Sequence, residues 1–450
     1  MSKLLLIAPV SQEVHGVSGK SVHHLSLAIL AALAEPYFSE IEIAEEMFAP
    51  LDLDQTPDLV GITMMTCQAN RGYWLADYFR RRGSKVILGG AHVSFMVAEA
   101  LEHADAVVQG EVEGLWPQIM ADFSGGNLSG KHYTGSAPLD LSQVPVPRKD
   151  LFPGGRTTFD AGVIQSSRGC PMGCDFCTVT KMYGKLYRTR PVEQVVEEIR
   201  RYPKKAFFFV DDNIFFSHEY AYRLFEALIP LRIKWGSQAS LELACRDGEL
   251  LKLAVRSGCA SLFVGFESVN QENLNANRKT FNKVDRYDAG IRKLNDAGIA
   301  VFGAFIFGLE KDTPQTFRDT MDFVMRNRLF MVNPGILTPL PGTVTHARME
   351  RDGDILDYNY EHYTCGRLIW RHPNMTTEEL ERCYLEFRRE FFSLGSIARR
   401  FWNNRRHPLL YLALNLAHHR NTYYRPQGRE HDRITGGQLP YQVATGSPAG

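Results

Sequence analysis

The sequence has no excess of charge of either sign. Its 450 residues include 51 lysines and arginines and 51 aspartates and glutamates, so the formal net charge at pH 7 is zero. A chain without net charge does not attract nucleic acid or an anionic membrane over long distances. We therefore expect no nucleic-acid partner, and any charged ligand must be recognised by a local group of residues.

Long apolar runs are also lacking. The start, MSKLLLIAPVSQE, has an apolar stretch too short for the core of a signal peptide. No later run approaches the roughly 20 apolar residues of a membrane span. The sequence thus predicts a cytoplasmic protein, in which eight cysteines indicate metal binding rather than a disulfide framework.

Residues 1–125 alternate short apolar runs with segments of helical apolar spacing. KLLLIAPV (3–10) and KVILGGAHV (85–93) have the length and composition of buried parallel strands, and HHLSLAILAALAE (23–35) has helical periodicity. This alternation predicts a doubly wound, Rossmann-like α/β domain. Ligands of such domains bind at the carboxyl ends of the strands.

A linker and a second alternating series follow. Residues 126–150 are rich in Gly, Ser and Pro, which is typical of a linker. Residues 151–342 contain six strand candidates with helical segments between them. Six β/α units are fewer than the eight that close a barrel, so we predict a partial (β/α)6 barrel whose active site lies at the carboxyl ends of its strands.

The end of the chain loses this alternation. Residues 343–425 are predicted to be helical, and Thr376 is spaced from Glu379 as in a capping box. Residues 426–450 show little periodicity and are predicted to be disordered. The segment 398–420 pairs basic residues with an apolar stripe, which is typical either of a peripheral membrane contact or of a helix packed on the barrel with a solvated basic face.

Three cysteines crowd into eight residues. Cys170, Cys174 and Cys177 form a C-x3-C-x2-C loop directly after a predicted strand, in SSRGCPMGCDFCTVTKMYG. Three thiolates on so short a loop can bind three irons of a [4Fe–4S] cubane and leave the fourth iron open to a substrate. A structural zinc site would need a fourth Cys or His, usually from a second pair, and the sequence has no such second pair.

This loop resembles that of the radical S-adenosylmethionine (SAM) enzymes. The resemblance implies that the open iron binds the amino and carboxylate groups of SAM. It also implies that an electron from the cluster breaks a C–S bond to give a 5′-deoxyadenosyl radical, with flavodoxin or ferredoxin as the external electron donor. Phe176 matches the aromatic residue that packs near the adenine in that family; its alternative is an ordinary core phenylalanine.

Polar side chains end several barrel strands where the resemblance implies SAM contacts. FFFVDDN (207–213) occupies the position of the motif for the SAM amino group, and QAS (238–240) and GFES (265–268) end the next strands. In FIFGLEKDT (305–313), Glu310 follows Gly308 by two residues rather than the usual three. Each polar residue has a plainer alternative as a helix cap or turn. The candidates for SAM contacts are Asp211, Asp212, Asn213, Gln238, Glu267 and Ser268.

The order of the domains resembles the cobalamin-binding-domain class of radical SAM enzymes, over residues from about 3 to 420. The stretch 88–117 is especially similar to the last α/β units of that domain. Gly89 and Gly90, at a predicted strand end, would let a corrin or its nucleotide tail approach the backbone closely. The resemblance therefore implies cobalamin as a further cofactor.

One motif of that class is missing. Members that donate a histidine to cobalt carry D-x-H-x-x-G after the first strand, whereas this chain reads PVSQEVHGVSGKSVHHL. His15, His23, His24 and His92 lie near the relevant loops, and we interpret each as an ordinary loop or helix residue. The domain is expected either to bind cobalamin without a protein ligand to cobalt or to have lost the cofactor, and we favour the first.

Joining these two domains in one chain implies methylation of an unactivated carbon, because a cobalt-bound methyl group can meet a substrate radical. One alternative is cyclisation, rearrangement or carbon–carbon coupling, with the first domain as a substrate lid. Another is a non-catalytic iron–sulfur or corrinoid-binding module. The substrate is expected to be a small or lipid-like molecule, and the sequence assigns no catalytic acid or base.

Overall fold

The structure is a computed structural model, and it describes residues 2–11, 22–135, 137–154, 161–202, 204–404 and 406–424. Two features predicted from the sequence, His15 as a loop residue and the disordered tail 426–450, lie outside the described residues.

The amino-terminal domain is built on one parallel sheet with strand order β2-β1-β3-β4-β5-β6. Its strands are β1 (Lys3–Ala8), β2 (Glu40–Glu45), β3 (Leu59–Thr63), β4 (Lys85–Gly89), β5 (Ala106–Gln109) and β6 (Lys131–Thr134). Its helices are α1 (Leu25–Ala34), α2 (Ala69–Arg81), α3 (Ala91–Phe95), α4 (Val97–His103) and α5 (Trp116–Ser124). The order reverses beside β1, since the chain leaves it first toward β2 and then toward β3, and a crevice for ligands opens at such a reversal.

Both faces of this sheet are covered, which explains the continuous apolar runs. Leu4 and Leu6 of β1 pack in one core and Leu5 and Ile7 pack in the other, and all four side chains are fully buried. A strand of a parallel sheet with helices on both faces needs apolar residues at every position rather than at alternate ones. The predicted doubly wound domain is confirmed.

The linker prediction for 126–150 is wrong over Lys131–Thr134. These residues form β6, which pairs with β5 in parallel from Ala106↔Lys131 to Gln109↔Thr134. The strand lies at the edge of the sheet, where only Tyr133 is buried and the other three side chains are exposed. An edge strand of this kind has no apolar alternation, so its sequence resembles a loop.

The second region contains the predicted partial barrel. Six parallel strands follow the order β14-β13-β12-β11-β10-β7, and β8 pairs with β9 in a separate antiparallel ladder. The strands are β7 (Gly162–Ile164), β8 (Ser167–Arg168), β9 (Arg188–Thr189), β10 (Ala206–Phe209), β11 (Lys234–Ala239), β12 (Cys259–Glu267), β13 (Ala300–Phe307) and β14 (Met331–Ile336). The helices are α6 (Val179–Tyr183), α7 (Val192–Arg201), α8 (His218–Leu228), α9 (Leu241–Arg246), α10 (Gly248–Arg256), α11 (Gln271–Ala276), α12 (Tyr287–Ala297) and α13 (Pro314–Arg326).

The predicted helical region follows β14. Its helices are α14 (Val344–Arg351), α15 (Thr377–Phe391), α16 (Leu394–Phe401) and α17 (Pro408–Tyr424). Thr376 caps α15 as predicted, because its hydroxyl accepts the Glu379 amide at 3.2 Å. Phe387 of α15 packs edge-on to Phe307 of β13 at 4.9 Å, and one continuous core joins these helices to the barrel.

The basic and apolar segment 398–420 includes the end of α16 and most of α17. Arg400 and Tyr411 are buried against the barrel, whereas Leu409 is 82% exposed. The packed-helix interpretation therefore accounts for the inner face, and membrane contact by the outer face stays a prediction. Within the described ranges, no helix is long and apolar enough to cross a membrane.

Candidate cofactor sites

The cysteine loop begins at the short ladder of β8 and β9. Gly169, between β8 and Cys170, has a φ of +92°, and a Cβ there would lie 2.4 Å from the Leu186 carbonyl oxygen. Only glycine fits such a conformation and so close a backbone approach. Inside and just after the loop, the Cys177 amide donates to the Cys174 carbonyl at 3.1 Å and the Thr180 hydroxyl donates to the Cys170 carbonyl at 3.0 Å. Hydrogen bonds within the loop and from Thr180 thus define its conformation.

The three predicted ligand thiols are partly buried and act on one another electrostatically. Burial raises the pKa of Cys170 and Cys177, and it raises the pKa of Cys174 to about 12. The Lys279 ammonium opposes this effect at all three thiols. Thiolate ligands in this loop therefore need nearby positive charge, which Lys279 supplies in part and bound iron would supply further.

The three thiols of the loop suit the ligand requirement of an iron–sulfur cluster. Within the described ranges, no three His, Cys, Asp or Glu side chains converge as one metal ion requires. A cubane has a different requirement, because each of three separate irons takes one thiolate. Three neighbouring, half-buried thiols beside a buried cation meet that requirement.

Asp211 and Asp212 lie beside the loop, and their carboxylates hold the residues that lead into it. Asp211 is fully buried and accepts hydrogen bonds from Ser166 N at 3.1 Å, from Ser166 Oγ at 2.7 Å and from the Ser167 hydroxyl. Asp212 accepts the Gly169 amide at 2.8 Å. Burial outweighs these donors and raises the pKa of Asp211 to about 6. A direct SAM contact from either side chain stays a prediction.

Asn213, Gln238 and Ser268 lie at neighbouring strand ends. Asn213 is buried, and its amide nitrogen donates to Ser240 Oγ at 3.2 Å, which links the ends of β10 and β11. Gln238 is half-buried near the end of β11. Ser268 is buried and accepts the Asn270 amide at 3.1 Å, as the turn interpretation predicts. Of the three, Gln238 keeps the most accessible side chain.

Glu267 stands out from the other candidates because its backbone is strained. Its φ is +64°, in the left-handed region that disfavours residues other than glycine, and the register of β12 with β13 shifts there. This conformation is accompanied by an ion pair of 2.7 Å between Glu267 Oε1 and Lys279 Nζ, and both side chains are nearly buried. Glu267 and the thiolates of Cys174 and Cys177 keep the pKa of Lys279 raised although burial opposes it.

Lys279 was not predicted from the sequence. It lies in the polar stretch NANRKT, where nothing in the local pattern distinguishes a buried lysine from a solvated one. Its ammonium is 6.0 Å from the ring centroid of Phe176 and 5.3 Å from that of Phe281. The structure thus places a cation beside Phe176, and packing of Phe176 near the adenine stays a prediction.

Glu310 and Asp312, the two acids of FIFGLEKDT, have different surroundings in the structure. Glu310 forms an ion pair with Arg348 on the rim of the barrel. Asp312 is buried and accepts the Asn273 side-chain amide at 2.7 Å and the Leu309 amide at 3.0 Å. Burial raises the pKa of Asp312 to about 7. Neither carboxylate is an unengaged ligand group.

A second candidate site is a cavity of about 350 Å³ at the carboxyl ends of the amino-terminal strands. Gly89 and Gly90 both line it, and so do Gly110 and residues 182 and 183 of α6. At Gly110, with a φ of +83°, a Cβ would meet no atom within 4 Å, whereas at Gly90 it would lie 2.7 Å from the Met64 amide nitrogen. The cavity thus combines a tight backbone turn with open space, and it reaches the helix that follows the cysteines.

His23, His24 and His92 have partners outside this cavity. His23 and His24 both contact Glu45, whose pKa they lower to about 2 against the effect of burial. His92 is buried and lies 3.1 Å from the Tyr73 hydroxyl. None of the histidines in the part of the chain that the structure describes lines the cavity.

The comparisons with known proteins agree with this geometry. Residues 164–324 match the Radical SAM superfamily. The bacteriochlorophyllide d C-12(1)-methyltransferase of Chlorobaculum tepidum is 30% identical to this chain over 418 residues, which cover 88% of this chain and 89% of that protein. The chain therefore belongs to the radical SAM superfamily, in the family of this methyltransferase. The predicted enzyme class is confirmed.

Two solved structures share its fold. The chain is similar to OxsB, a cobalamin-dependent SAM radical enzyme solved with aqua-cobalamin and SAM, with a TM-score of 0.70 and 15% identity over 94% of this chain and 72% of that one. It is also similar to the radical SAM methyltransferase TsrM from Kitasatospora setae, solved with cobalamin and a [4Fe–4S] cluster, with a TM-score of 0.64 and 16% identity over 90% and 89% of the two chains. The architecture predicted from the sequence is that of these proteins.

Proposed function

We propose that this chain is a cobalamin-dependent radical SAM C-methyltransferase. The main observation behind this proposal is that the two candidate sites adjoin at helix α6. Residues 182 and 183 of α6, which follow the cysteine loop directly, line the glycine-containing cavity of the amino-terminal domain. Methylating an unactivated carbon needs a methyl donor and a radical source within reach of one substrate, and this arrangement brings their sites together.

The three cysteines would hold the cluster, and the cavity would hold the corrin. When bound, the cluster supplies the electron that cleaves SAM, and cobalamin supplies the carrier for the methyl group. We assign the Glu267–Lys279 pair to the charged end of SAM. The carboxylate of Glu267 complements the SAM amino group, and the ammonium of Lys279, which acts on all three thiols, complements the SAM carboxylate.

The lower face of the corrin would have no histidine ligand. His23 and His24 are held by Glu45, and His92 is buried beside Tyr73. To reach the cavity, each side chain would have to leave a buried partner, and separating a buried hydrogen-bonded group is costly. The positions of these histidines are consistent with the absence of the D-x-H-x-x-G motif from the sequence.

The substrate that we propose is a tetrapyrrole macrocycle. The proposal rests on the bacteriochlorophyllide relative, which matches nearly the whole chain. Such a substrate is a large apolar molecule, consistent with the lipid-like class expected from the sequence. A low-potential flavodoxin or ferredoxin is the electron donor that we expect.

The test is the stoichiometry of the two SAM-derived products. The reduced enzyme would be given bacteriochlorophyllide d and SAM labelled in its methyl group. We expect S-adenosylhomocysteine and 5′-deoxyadenosine in about equal amounts and the label on a substrate carbon, because one SAM supplies the methyl group and another the radical. If 5′-deoxyadenosine forms with substrate while S-adenosylhomocysteine and label transfer are absent, methylation is wrong and cyclisation or coupling replaces it.

A further inference from the structure

One side chain belongs to both candidate sites. Arg168 ends β8, two residues before Cys170, and it lines the cavity of the amino-terminal domain. Its guanidinium is buried and forms charge-assisted hydrogen bonds of 2.6 Å with Glu111 and 2.9 Å with Glu113. Gln165 accepts two more of its N–H groups, at 3.0 and 3.2 Å. The orientation of the Arg168 guanidinium is therefore fixed from several sides.

The two glutamates come from the other domain. Glu111 and Glu113 follow β5, and both line the same cavity as Arg168. Glu111 also bonds Arg188 at 2.7 Å, and Arg188 is the residue that pairs with Arg168 across the β8–β9 ladder. The Glu111 carboxylate of the amino-terminal domain thus bonds an arginine on each of the two strands that flank the cysteine loop.

Ion pairs as buried as these have little freedom to shift. Removing one partner of a buried pair leaves an uncompensated charge, so a shift of either glutamate that breaks its pair with Arg168 is costly. Any group that fills the cavity and touches Glu111 or Glu113 therefore acts on Arg168. Any change at the start of the cysteine loop acts on the cavity wall by the same contacts.

We infer that Arg168 is a positioning residue that couples the amino-terminal cavity to the cysteine loop, so that a corrin in the cavity and a cluster on the loop favour each other's binding. The inference rests on the proposed cobalamin site. Coupling between two binding sites is reciprocal, so each cofactor must change the affinity for the other by the same factor.

The experiment is a titration of the anaerobic full-length protein with hydroxocobalamin, before and after reconstitution of the cluster. We expect hydroxocobalamin to bind the cluster-loaded protein about 5-fold more tightly or better, the lower end of measured couplings. The electron paramagnetic resonance g-values of the reduced cluster should also shift when hydroxocobalamin is added. Arg168→Gln should bind each cofactor alone but show equal affinities in the two titrations and no shift.

The control variant is Arg71→Gln, which breaks an equally buried arginine–glutamate pair, with Glu46, that lines neither the cavity nor the cysteine loop. It should keep the coupling. If Arg168→Gln does not fold, Glu113→Gln removes a single one of the contacts and should lower the coupling. Equal affinities in the wild-type protein with and without cluster would overturn the inference and leave the proposed function intact. Failure of the wild type to bind hydroxocobalamin at all would overturn both.

Discussion

Removing the Asp211 carboxylate should reduce cluster binding by more than the accompanying loss of stability explains. Its buried carboxylate accepts three hydrogen bonds from Ser166 and Ser167, the residues that lead into the cysteine loop. Asp211→Ala leaves these donors facing a cavity, and an unsatisfied buried group costs roughly 1–3 kcal/mol. The two hydroxyls can rotate to other acceptors, whereas the Ser166 amide cannot, so we expect a total loss of about 3 kcal/mol.

Asp211→Asn should lose less. Burial raises the pKa of Asp211 to about 6, so at pH 7 the native state holds an ionised carboxylate that its surroundings disfavour. The amide keeps one acceptor oxygen and removes that charge, which offsets part of the lost hydrogen bonding. We expect a loss of about 1 kcal/mol for the amide variant. The assay is the denaturant midpoint of the cluster-free protein, followed by iron content per chain after anaerobic reconstitution.

Asp312→Ala is the matched control. Asp312 is also a buried aspartate after a barrel strand, but its carboxylate accepts from Asn273 and Leu309 and not from the residues that lead into the cysteine loop. Both alanine variants should lose comparable stability, while only Asp211→Ala should lose more than half of its iron. Equal iron loss in the two would refute the reasoning, because it would show that iron content follows stability rather than the geometry of the loop.

Four further outcomes are expected. Cys174→Ala should abolish the visible absorbance of the cluster and all 5′-deoxyadenosine formation while the circular dichroism spectrum is kept; a variant that still cleaves SAM would show that the ligand assignment is wrong. Gly89→Phe should weaken hydroxocobalamin binding by about 10-fold or more, because the ring fills the cavity that Gly89 lines; unchanged affinity would place the corrin elsewhere. Replacing His15 or His92 by alanine should leave the Co(II) electron paramagnetic resonance spectrum unchanged, and nitrogen splitting that disappears in either variant would identify an axial imidazole. Burial raises the pKa of Asp312 to about 7, against roughly 3.9 in the unfolded chain, so the native state retains a proton that the unfolded state has released. Stability should therefore fall as pH rises from about 4 to about 7, and Asp312→Asn should flatten that slope in denaturant titrations; the same slope in the variant would assign it to another group.

Much of the fold could be predicted because its signals are local. Strands covered on both faces read as apolar runs, and for this reason KLLLIAPV and KVILGGAHV predict β1 and β4. The edge strand β6 was missed because one buried tyrosine among polar residues does not differ from a loop. What decides that segment is its pairing with β5, a contact between residues more than twenty positions apart.

In the candidate site, too, residues with a local sequence signal could be predicted, and residues defined by distant contacts could not. The three cysteines could be found because their spacing alone defines the ligand geometry. The partners of Asp211 lie 44 and 45 residues earlier in the chain, so the sequence shows a strand end with acceptors but not what they accept. Lys279 was missed because its burial depends on how the segment after β12 folds back over Glu267 and Phe176.

Among the described residues, no further strand pairs with the outer edges of β7 and β14, and the carboxyl-terminal region covers the edge at β14. At β14, the Cys365 carbonyl accepts the Ile336 amide at 2.7 Å and the Tyr384 hydroxyl donates to the Pro334 carbonyl at 3.1 Å; just before the strand, Arg400 donates to the Leu329 carbonyl at 3.1 Å. An exposed strand edge is a template on which a second chain can add its own strand. These groups occupy hydrogen-bonding positions along that edge, so the carboxyl-terminal region covers it. Loss of α15 and α16 would expose the edge to a second chain, so we expect these helices to matter for solubility even where they take no part in catalysis.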